Sequence, residues 1–497
     1  MKRLLSRIEG AAQRSPAVVA INDDVTRLSY AQLQRGIDEV ADTLNGARVG
    51  LFADNSCSWA IADLAVGRRG GVSVPLPLFF SNSQLSHVIR DAGLDTVLTD
   101  APQRLSQILD SPPSDVLSIA GRPLAVFGIR HGRTRSALPA GTSKVTYTSG
   151  TTRAPRGVCL AADAVEQVTA TLCNAVAAQS GDRSLALLPL STLLENIGGL
   201  YAPLWVGGRA QVPRLAQCGL TGSSGLDPGR MMTALSGFAP TTVILVPQLL
   251  KAIVECAAAG VPPPGSLRFA AVGGAPCSRA LIERARLLGV PVHEGYGLSE
   301  AASVVALNLP GADRPGSVGR PLPHARVEVD ASGEIVVHGR GFLGYLGSTD
   351  IRGTYWATGD LGRIDEDGYL HITGRRKTAF ASAYGRNLSP EWVESELIAR
   401  PGVAQAALFG EGRAFNVAVI VPAPGAGTEA LAAAVRSANE ALPDYARVAS
   451  WLAADTPFTA TNGLASPTGA PRRQAIGERY RQRIEGLYQQ GDPHAVL

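Results

Sequence analysis

One short segment of the chain concentrates small and hydroxylated side chains. Its residues are Thr148, Ser149, Gly150, Thr151 and Thr152. Backbone N–H groups and hydroxyls at this density are suited to surround phosphate oxygens, and Arg153 and Arg156, which follow, add positive charge. Apolar β-formers stand on both sides, so we expect a strand, a loop and a second strand. The alternative interpretation is a surface hairpin rich in Ser and Thr.

The spacing of this segment differs from the phosphate loop of P-loop NTPases. That loop requires a Lys and then a Ser or Thr directly after its second glycine. Here Gly150 and Gly157 stand seven residues apart, and no such pair follows. A phosphate site at this segment is therefore of another type.

A second cluster, at residues 293–300, combines an aromatic ring, a hydroxyl and a carboxylate. Tyr296 stands between two glycines, the second of which is Gly297, and Ser299 and Glu300 follow. These groups can supply an aromatic face for stacking, a hydroxyl that donates a hydrogen bond to phosphate, and a carboxylate ligand for magnesium. Without context, Tyr296 would be a packed aromatic and Glu300 a solvated charge. The candidate phosphate segment upstream favours the interpretation as a site.

Glycines mark two further places where a ligand can approach the chain. Gly273, Gly274 and Ala275 follow a predicted strand, and a backbone without bulky side chains lets a flat ring come close. Asp360 has glycines on both sides and would present a bidentate acceptor to a ribose diol. The alternative for Asp360 is an ordinary Asx-turn residue.

The sequence around these clusters predicts a layered α/β fold. In the first 140 residues apolar runs alternate with helical periodicity, which favours a largely parallel sheet. We expect strands at residues 49–52, 71–76 and 95–99 and a helix at 59–68. Later in the chain we expect a helix at 162–178 and strands at 185–190, 242–246 and 267–272. Two of these later strands end on glycine, proline or small residues, where ligands bind in open α/β sheets.

The pattern changes after residue 321. Short alternating segments at residues 325–329 and 333–337 indicate a small antiparallel or barrel-like layer. Farther along, Ser389 followed by Pro390 predicts a helix start. Strands at residues 403–409 and 417–421 and a helix at 428–441 then make a compact α+β unit.

Taken together, these segments resemble the adenylate-forming (AMP-binding) superfamily, closest in pattern to fatty acyl-CoA synthetases. Residues 145–158 resemble the pattern YTSGTTGxPKGV, with Arg153 in the place of Gly and Arg156 in that of Lys. Three other matches are residues 296–300 with YGxTE, 358–362 with TGDxG and 374–377 with GRxK. The resemblance extends from about residue 28 to residue 475.

The resemblance implies ATP and Mg²⁺ as cofactors and assigns their contacts by motif. The implied nucleotide contacts are Thr148, Ser149, Gly150, Thr151, Thr152, Gly273, Gly274, Ala275, Tyr296, Gly297, Ser299, Asp360 and Arg375. Among these, Tyr296 stacks on adenine, Asp360 binds the ribose, and Arg375 bonds ribose or phosphate. Glu300 holds Mg²⁺. The implied catalytic residues are Arg156, Glu300, Arg375 and Lys377.

The resemblance also implies two domains. Residues 1–374 would form a large N-terminal domain of layered α/β subdomains with a small β-barrel-like subdomain. Residues 375–497 would form a small, mobile α+β C-terminal domain that swings about a hinge at Lys377.

The C-terminal part departs from the resembling family at one catalytic position. Residues 462–473 resemble NGLLTPTxKxRR, and Ala470 stands where the family has a lysine that enters the active site. A cation near the reacting carboxylate and α-phosphate contributes about 10²–10³-fold in rate. Formation of the adenylate would therefore be slow unless Arg153, Arg472 or Arg473 substitutes.

The implied reaction is ATP-dependent activation of a carboxylic acid to an acyl-adenylate, followed by transfer to the thiol of CoA or of a carrier-protein phosphopantetheine. Apolar or small residues after the predicted strand at 185–190 favour a fatty or aromatic acid; these are Leu193, Leu194, Ile197, Gly198 and Gly199. Ser191 and Thr192 stand where the family often has a gating His or aromatic. Two alternatives remain: a stand-alone enzyme that forms an amide or ester, and a catalytically degenerate nucleotide-binding relative.

Composition sets the remaining expectations. A chain of 497 residues exceeds what one core normally supports, so two or more domains are expected. The net charge of +4, without a basic run, gives no argument for nucleic acid. The six cysteines are scattered without a CxxC pair, which favours free thiols in a reducing compartment. No apolar run reaches the roughly 18 residues of a membrane span, and no signal peptide is recognised, so we expect a cytoplasmic protein without a transmembrane segment.

Overall fold

The structure is a computed structural model. It describes residues 1–130, 136–148, 155–222, 225–339, 341–348, 355–383, 387–466 and 469–489. None of the helices within these ranges is both long and apolar enough to cross a membrane.

Helices and short strands alternate along the first third of the chain. In chain order they are α1 (Lys2–Arg14), β1 (Val19–Asn22), β2 (Arg27–Ser29), α2 (Tyr30–Thr43), β3 (Arg48–Phe52), α3 (Cys57–Arg68), β4 (Val72–Pro75), α4 (Asn82–Asp91), β5 (Thr96–Thr99), α5 (Pro102–Leu109), β6 (Asp115–Ile119), β7 (Arg122–Gly128), β8 (Thr142–Thr148) and β9 (Arg156–Ala161).

The middle of the chain continues the alternation. Its elements are α6 (Ala162–Ala175), β10 (Arg183–Leu185), α7 (Leu193–Glu195), a π-helical turn (Asn196–Tyr201), α8 (Ala202–Trp205), β11 (Arg209–Gln211), a 3₁₀ turn (Leu215–Cys218), β12 (Leu220–Thr221), β13 (Gly225–Leu226), α9 (Pro228–Phe238), β14 (Thr242–Leu245), α10 (Pro247–Ala258), β15 (Phe269–Val272), α11 (Arg279–Leu287), β16 (Val292–Leu298), a 3₁₀ turn (Ser299–Ala301) and β17 (Ser303–Leu307).

The last part begins with strands and ends with helices. Its elements are β18 (Arg320–Pro321), β19 (Arg326–Val329), β20 (Glu334–His338), β21 (Phe342–Tyr345), β22 (Tyr355–Ile364), β23 (Leu370–Arg375), β24 (Phe380–Ala381), β25 (Asn387–Leu388), α12 (Pro390–Ile398), β26 (Val403–Phe409), β27 (Asn416–Pro422), α13 (Thr428–Glu440), a 3₁₀ turn (Asp444–Ala446), β28 (Val448–Ala453), α14 (Arg473–Arg479) and α15 (Arg481–Gln489).

The first sheet has the strand order β21-β9-β8-β4-β3-β5-β7-β6. The pairs among β8, β4, β3 and β5 are parallel, whereas the pairs at both ends of the sheet are antiparallel. The expectation of a largely parallel sheet in the first 140 residues is therefore wrong for this sheet, which is mixed. Hairpins explain the difference. Two strands joined by a short turn pair antiparallel, whereas two strands that pair parallel need a long crossover connection between them. The β6–β7 turn is such a return, with Ala120 and Gly121 at φ 50° and 75°.

The second sheet has the strand order β18-β17-β16-β15-β14-β10-β11-β1-β2 and is parallel from β16 through β1. The strand predicted at 185–190 extends too far, because β10 ends at residue 185, where the predicted strand begins. At Leu188 and Leu190, side chains instead of a neighbouring strand accept hydrogen bonds from the backbone. The Leu188 N–H donates to Glu195 Oε2 at 3.1 Å, and the Leu190 N–H donates to Asn55 Oδ1 at 2.7 Å.

One apolar core joins the two sheets. It contains side chains of β3 and β9 from the first sheet, β1 and β11 from the second, and the helices α1, α2, α3, α6 and α8. The residues of α3 from Cys57 to Val66 are all buried. Apart from Ser58 and Asp63 these residues are apolar, which suits the enclosed position.

The small antiparallel layer predicted after residue 321 is present as β19-β20-β22-β23 and packs on an apolar core that includes Val305 and Ala306 of β17. The predicted α+β unit follows, with β26 and β27 antiparallel and β28 parallel to β27. Ser389 precedes α12 as expected, but its hydroxyl bonds Glu391 at 3.0 Å and not a backbone N–H. Ser278 Oγ donates to Glu396 Oε2 at 2.9 Å and thereby ties α12 to the segment before α11.

A buried charge pair also connects the two sheets. Lys144 Nζ, on β8, donates to Asp63 Oδ1 of α3 and to Asn196 Oδ1 of the π-helical turn, both at 2.8 Å. The hydroxyls of Ser73 and Tyr201 donate to the same carboxylate. Burial by itself would raise the pKa of Asp63, but Lys144 and these donors hold it below its usual value. The carboxylate therefore stays ionised inside the protein.

Replacing Lys144 by Met keeps the length of the side chain and removes its charge. We expect Lys144→Met to lower the free energy of unfolding by about 3–5 kcal/mol, because Asp63 remains buried without its cation. Urea unfolding followed by circular dichroism measures the shift. Lys2→Met, at an exposed position of α1, is the matched control. Equal urea midpoints for the two variants would contradict the expectation.

Candidate active site

The two strands that flank the candidate phosphate segment form the predicted hairpin. β8 and β9 pair antiparallel, and Thr148 lies opposite Arg156 at its open end. Thr148 is half-buried and Arg156 is exposed. The residues between them, including Ser149, Gly150, Thr151, Thr152 and Arg153, lie outside the described residues. The predicted phosphate contacts of that stretch stay a prediction.

Tyr345 connects the cation of this hairpin with the predicted magnesium ligand. The guanidinium carbon of Arg156 lies 3.6 Å from the centroid of the Tyr345 ring. The Tyr345 hydroxyl donates to Glu300 Oε1 at 2.7 Å. Sequence reasoning missed Tyr345, because only the pairing of β21 with β9, which sets Tyr345 opposite Val158, brings it to this place.

A second chain of contacts links the other predicted nucleotide residues. The Tyr296 hydroxyl donates to Asp360 Oδ2 at 2.7 Å, and Arg375 Nε donates to Asp360 Oδ1 at 2.8 Å. Asp360 is 4% exposed, whereas the Arg375 side chain is 68% exposed. Burial, with Asp360 beside it, raises the pKa of Tyr296, so its hydroxyl stays a donor. Each carboxylate oxygen accepts more than one hydrogen bond, so Asp360 keeps capacity for a ribose diol.

Glycines allow the backbone segments of the site to lie against each other. A Cβ at Gly273 would lie 2.9 Å from the Gly295 carbonyl oxygen, and a Cβ at Gly297 would lie 1.8 Å from the Ser303 carbonyl oxygen. Gly274 has φ +79° and is exposed, as is Ala275. These residues follow the carboxyl end of β15 or lie near that of β16, which is where open α/β sheets bind ligands.

The structure thus brings most of the predicted site residues together. Tyr296 and Glu300 lie on one segment, so the contacts through Asp360 and those through Tyr345 belong to one site, and Gly273 packs beside it. Lys377 lies outside this cluster, exposed in the turn after β23. The roles that the resemblance implies for these residues stay predictions.

The donor set fits a magnesium ion that arrives with a nucleotide. Among the described residues no group of three or more His, Cys, Asp or Glu could hold a metal by itself. Mg²⁺ is commonly held by one or two carboxylates together with substrate phosphates and water. The single carboxylate of Glu300, half-buried at the edge of the candidate phosphate segment, suits that arrangement.

The predicted acid-binding residues divide into core and surface groups. Leu193, Ile197 and Gly199 are buried, whereas Leu194 and Gly198 are partly exposed on one face. Next to them, the fully buried carboxyl of Glu195 was not predicted. Burial raises its pKa well above the usual value, and its Oε1 has no hydrogen-bond partner within the described part of the chain.

Ala470 lies in a tight turn. The Ser466 N–H donates to the Ala470 carbonyl oxygen at 2.7 Å, and the Ala470 N–H donates to Ser466 Oγ at 3.1 Å. Arg473 is engaged elsewhere, since its Nη2 donates to Glu394 Oε1 at 2.7 Å. Arg472 is exposed. Of the proposed substitutes for the missing lysine, Arg473 is thus held by an ion pair inside the C-terminal part.

Comparison with known proteins gives matches along nearly the whole chain. Residues 8–347 match the family model described as AMP-binding enzyme, and residues 379–492 match the model described as AMP-binding enzyme C-terminal domain. A feruloyl-CoA synthase of Amycolatopsis sp is 30% identical over 445 residues, which cover 83% of this chain and 87% of the relative. The long-chain-fatty-acid–CoA ligase FadD15 of Mycobacterium bovis is 26% identical, with 89% and 88% covered.

A solved structure shares the fold. The crystal structure of the anthranilate CoA ligase AuaEII in complex with anthranoyl-AMP superposes with a TM-score of 0.79, covering 97% of this chain and 98% of that one. Its sequence identity is 18%, so the likeness shows the fold alone.

Gly297 can be tested by adding one methyl group. We expect Gly297→Ala to lower the free energy of unfolding by about 1–3 kcal/mol and to displace Tyr296, because the new Cβ collides with the Ser303 backbone. Thermal unfolding and ATP binding by calorimetry measure both effects. Gly265→Ala is the control, since a Cβ there meets nothing within 4 Å. Unchanged melting of the Gly297 variant would refute the close packing.

Glu294, beside Tyr296, gives a pH-dependent prediction. Burial raises its pKa to about 8, against the opposing effect of a hydrogen bond from the Cys277 backbone. Between about pH 4.5 and 8 the folded protein therefore holds a proton that the unfolded chain has lost, so rising pH destabilises the fold. We expect the melting temperature to fall less steeply over this range in Glu294→Gln than in the unmodified protein. Glu429→Gln, at an exposed position, should keep the original slope.

Proposed function

The chain belongs to the AMP-binding enzyme family, and from this premise we propose that it is an acid–thiol ligase. It activates a carboxylic acid with ATP, releasing pyrophosphate and forming an acyl-adenylate. It then transfers the acyl group to the thiol of coenzyme A. The observation that carries the proposal is a pair of contact chains, Arg156–Tyr345–Glu300 and Tyr296–Asp360–Arg375, which residues 296–300 bring together.

The first step requires positioning and charge neutralisation more than covalent participation by the protein. Thr148, Ser149, Gly150, Thr151 and Thr152 surround the phosphates with N–H groups and hydroxyls. Arg156, at the start of the strand that follows this segment, neutralises phosphate charge. Ser299 donates a hydrogen bond to phosphate. Mg²⁺, held by Glu300, supplies further charge neutralisation when it is bound.

The adenosine end of ATP occupies the region around Tyr296. The ring of Tyr296 stacks on adenine, and Gly273, Gly274 and Ala275 form the opposite wall. Asp360 accepts from the ribose diol, and Arg375 orients that carboxylate. The hydrogen bonds from Tyr296 and Arg375 support this assignment, because they fix the Asp360 carboxylate before any ligand arrives.

The domain division proposed for this reaction is 1–374 and 375–497, with the hinge at Lys377. The exposure of Lys377 and the separate apolar cores of the small sheet and the α+β unit support it. A turn at the surface can change its backbone angles without disturbing either core.

The acid is fatty or aromatic. Leu194 and Gly198 present an apolar, partly exposed face beside β14, and the named relatives act on feruloyl and long-chain fatty substrates. Coenzyme A is the acceptor that the names of these relatives support. A carrier-protein phosphopantetheine offers the same thiol and is the second acceptor to test. The cytoplasmic location stays a prediction.

Ala470 favours a second candidate, a nucleotide-binding relative that forms the adenylate poorly or not at all. The missing lysine removes a cation from the reacting centre, and the ion pair of Arg473 with Glu394 keeps that arginine from replacing it. A related possibility is an enzyme that passes the acyl group to an amine or alcohol.

ATP–pyrophosphate exchange with a panel of fatty and aromatic acids tests the proposal. We expect slow exchange with at least one acid and an increase of about 10²–10³-fold in Ala470→Lys, because the restored cation stabilises the charge that develops on the reacting carboxylate and α-phosphate. Ala460→Lys, which also places a lysine at an exposed alanine shortly before this segment, is the control.

The products then separate the alternatives. A CoA thioester supports the ligase. Hydroxamate without a CoA thioester favours another acceptor. Measurable ATP binding without exchange for any acid, in both the unmodified protein and Ala470→Lys, would refute the proposal and leave the degenerate relative.

A further inference from the structure

Tyr345 contacts two oppositely charged groups of the candidate phosphate end. Its ring lies under the Arg156 guanidinium, 3.6 Å from the guanidinium carbon to the ring centroid. Its hydroxyl donates to Glu300 Oε1 at 2.7 Å. One side chain therefore holds both the cation expected on the phosphates and the carboxylate expected on magnesium.

The stacking uses the planar shape of Arg156. A guanidinium lies flat on an aromatic face and keeps its N–H groups free at the edge, which the compact ammonium of a lysine does not do. Tyr345 thus gives a physical reason for an arginine at this position. The ring limits Arg156 to orientations that lie along its face.

Glu300 needs an external restraint. It lies on the short Ser299–Ala301 turn, which is followed by Ala302 and Ser303 at φ 54° and 101°. Left-handed backbone at residues other than glycine costs free energy and persists only where the surroundings enforce it. The hydrogen bond from Tyr345 fixes one carboxylate oxygen and leaves the other for a cation.

Tyr345 is itself rigidly placed. Its ring packs edge-on against Phe342 and Trp356, with centroids 5.1 and 5.7 Å away. β21, which carries it, is paired with β9 next to Arg156. Trp356 lies on β22, the strand that also carries Asp360, so the same packing connects the phosphate end with the ribose end.

We propose that Tyr345 is a positioning residue for triphosphate and magnesium binding, which fixes Arg156 through its ring and Glu300 through its hydroxyl. The inference rests on the proposed function and adds to it a residue that acts through two others. Hydrogen-bond partners of metal ligands typically change metal affinity by about 10–100-fold when they are removed.

Calorimetric titration of the full chain tests this role without relying on turnover. The protein is titrated with ATP, once in the presence of magnesium and once in the presence of a chelator. It is titrated with AMP in parallel. Tyr345→Phe keeps the ring and removes the hydroxyl, so we expect the magnesium-dependent gain in ATP affinity to fall about tenfold while AMP affinity and melting temperature stay unchanged. Tyr345→Leu removes both contacts and should also weaken ATP binding in the presence of chelator.

Two variants serve as controls. Tyr355→Phe removes a hydroxyl from an exposed tyrosine of β22, and Phe79→Leu loosens an edge-on aromatic pair with Phe80 on another segment. Both should keep the magnesium-dependent gain. The inference is overturned if Tyr345→Phe keeps the gain, or if Phe79→Leu loses it equally. If the unmodified protein binds neither ATP nor AMP, the proposed function itself fails.

Discussion

The hydrogen bond between the Tyr296 hydroxyl and Asp360 joins the second sheet to the small antiparallel sheet, beside an apolar core that both sheets share. Tyr296 lies on β16 of the second sheet, and Asp360 lies on β22 of the small antiparallel sheet. Both groups are largely removed from water, so each would be destabilised without the other. Arg375 completes the arrangement by holding the second oxygen of the carboxylate. Together with the shared apolar core, this contact holds the small sheet against the second sheet.

The phosphate end is organised by strand pairing. β8, β9 and β21 are neighbours in the first sheet, and the Ser299–Ala301 turn follows β16 of the second sheet. Arg156 and Glu300 therefore come from separate parts of the fold, and both contact Tyr345, Arg156 through the ring and Glu300 through the hydroxyl. The buried pair of Lys144 with Asp63 holds β8 against α3, and Lys144 also bonds the π-helical turn.

Ala470 and Arg473 both take part in contacts within the C-terminal part. The segment around Ala470 keeps a tight turn closed by Ser466, and Arg473 begins α14 with its guanidinium on Glu394. These contacts stabilise the C-terminal part. They also engage Arg473 in an ion pair, whereas Arg472 is exposed.

The sequence by itself determined the class of fold and the order of the motifs, and it supplied the candidate site residues. Glycines, hydroxyls and acids at fixed local spacing carry that information within a few residues of one another, as at 296–300. Local spacing also predicted the β8–β9 hairpin and the small antiparallel sheet. It failed for the mixed first sheet and for the end of β10, where the partners Glu195 and Asn55 are supplied by other segments. Only the tertiary structure decided that Tyr345 lies between Arg156 and Glu300, because contacts between residues that are far apart in the chain depend on strand pairing and packing, which no local pattern encodes.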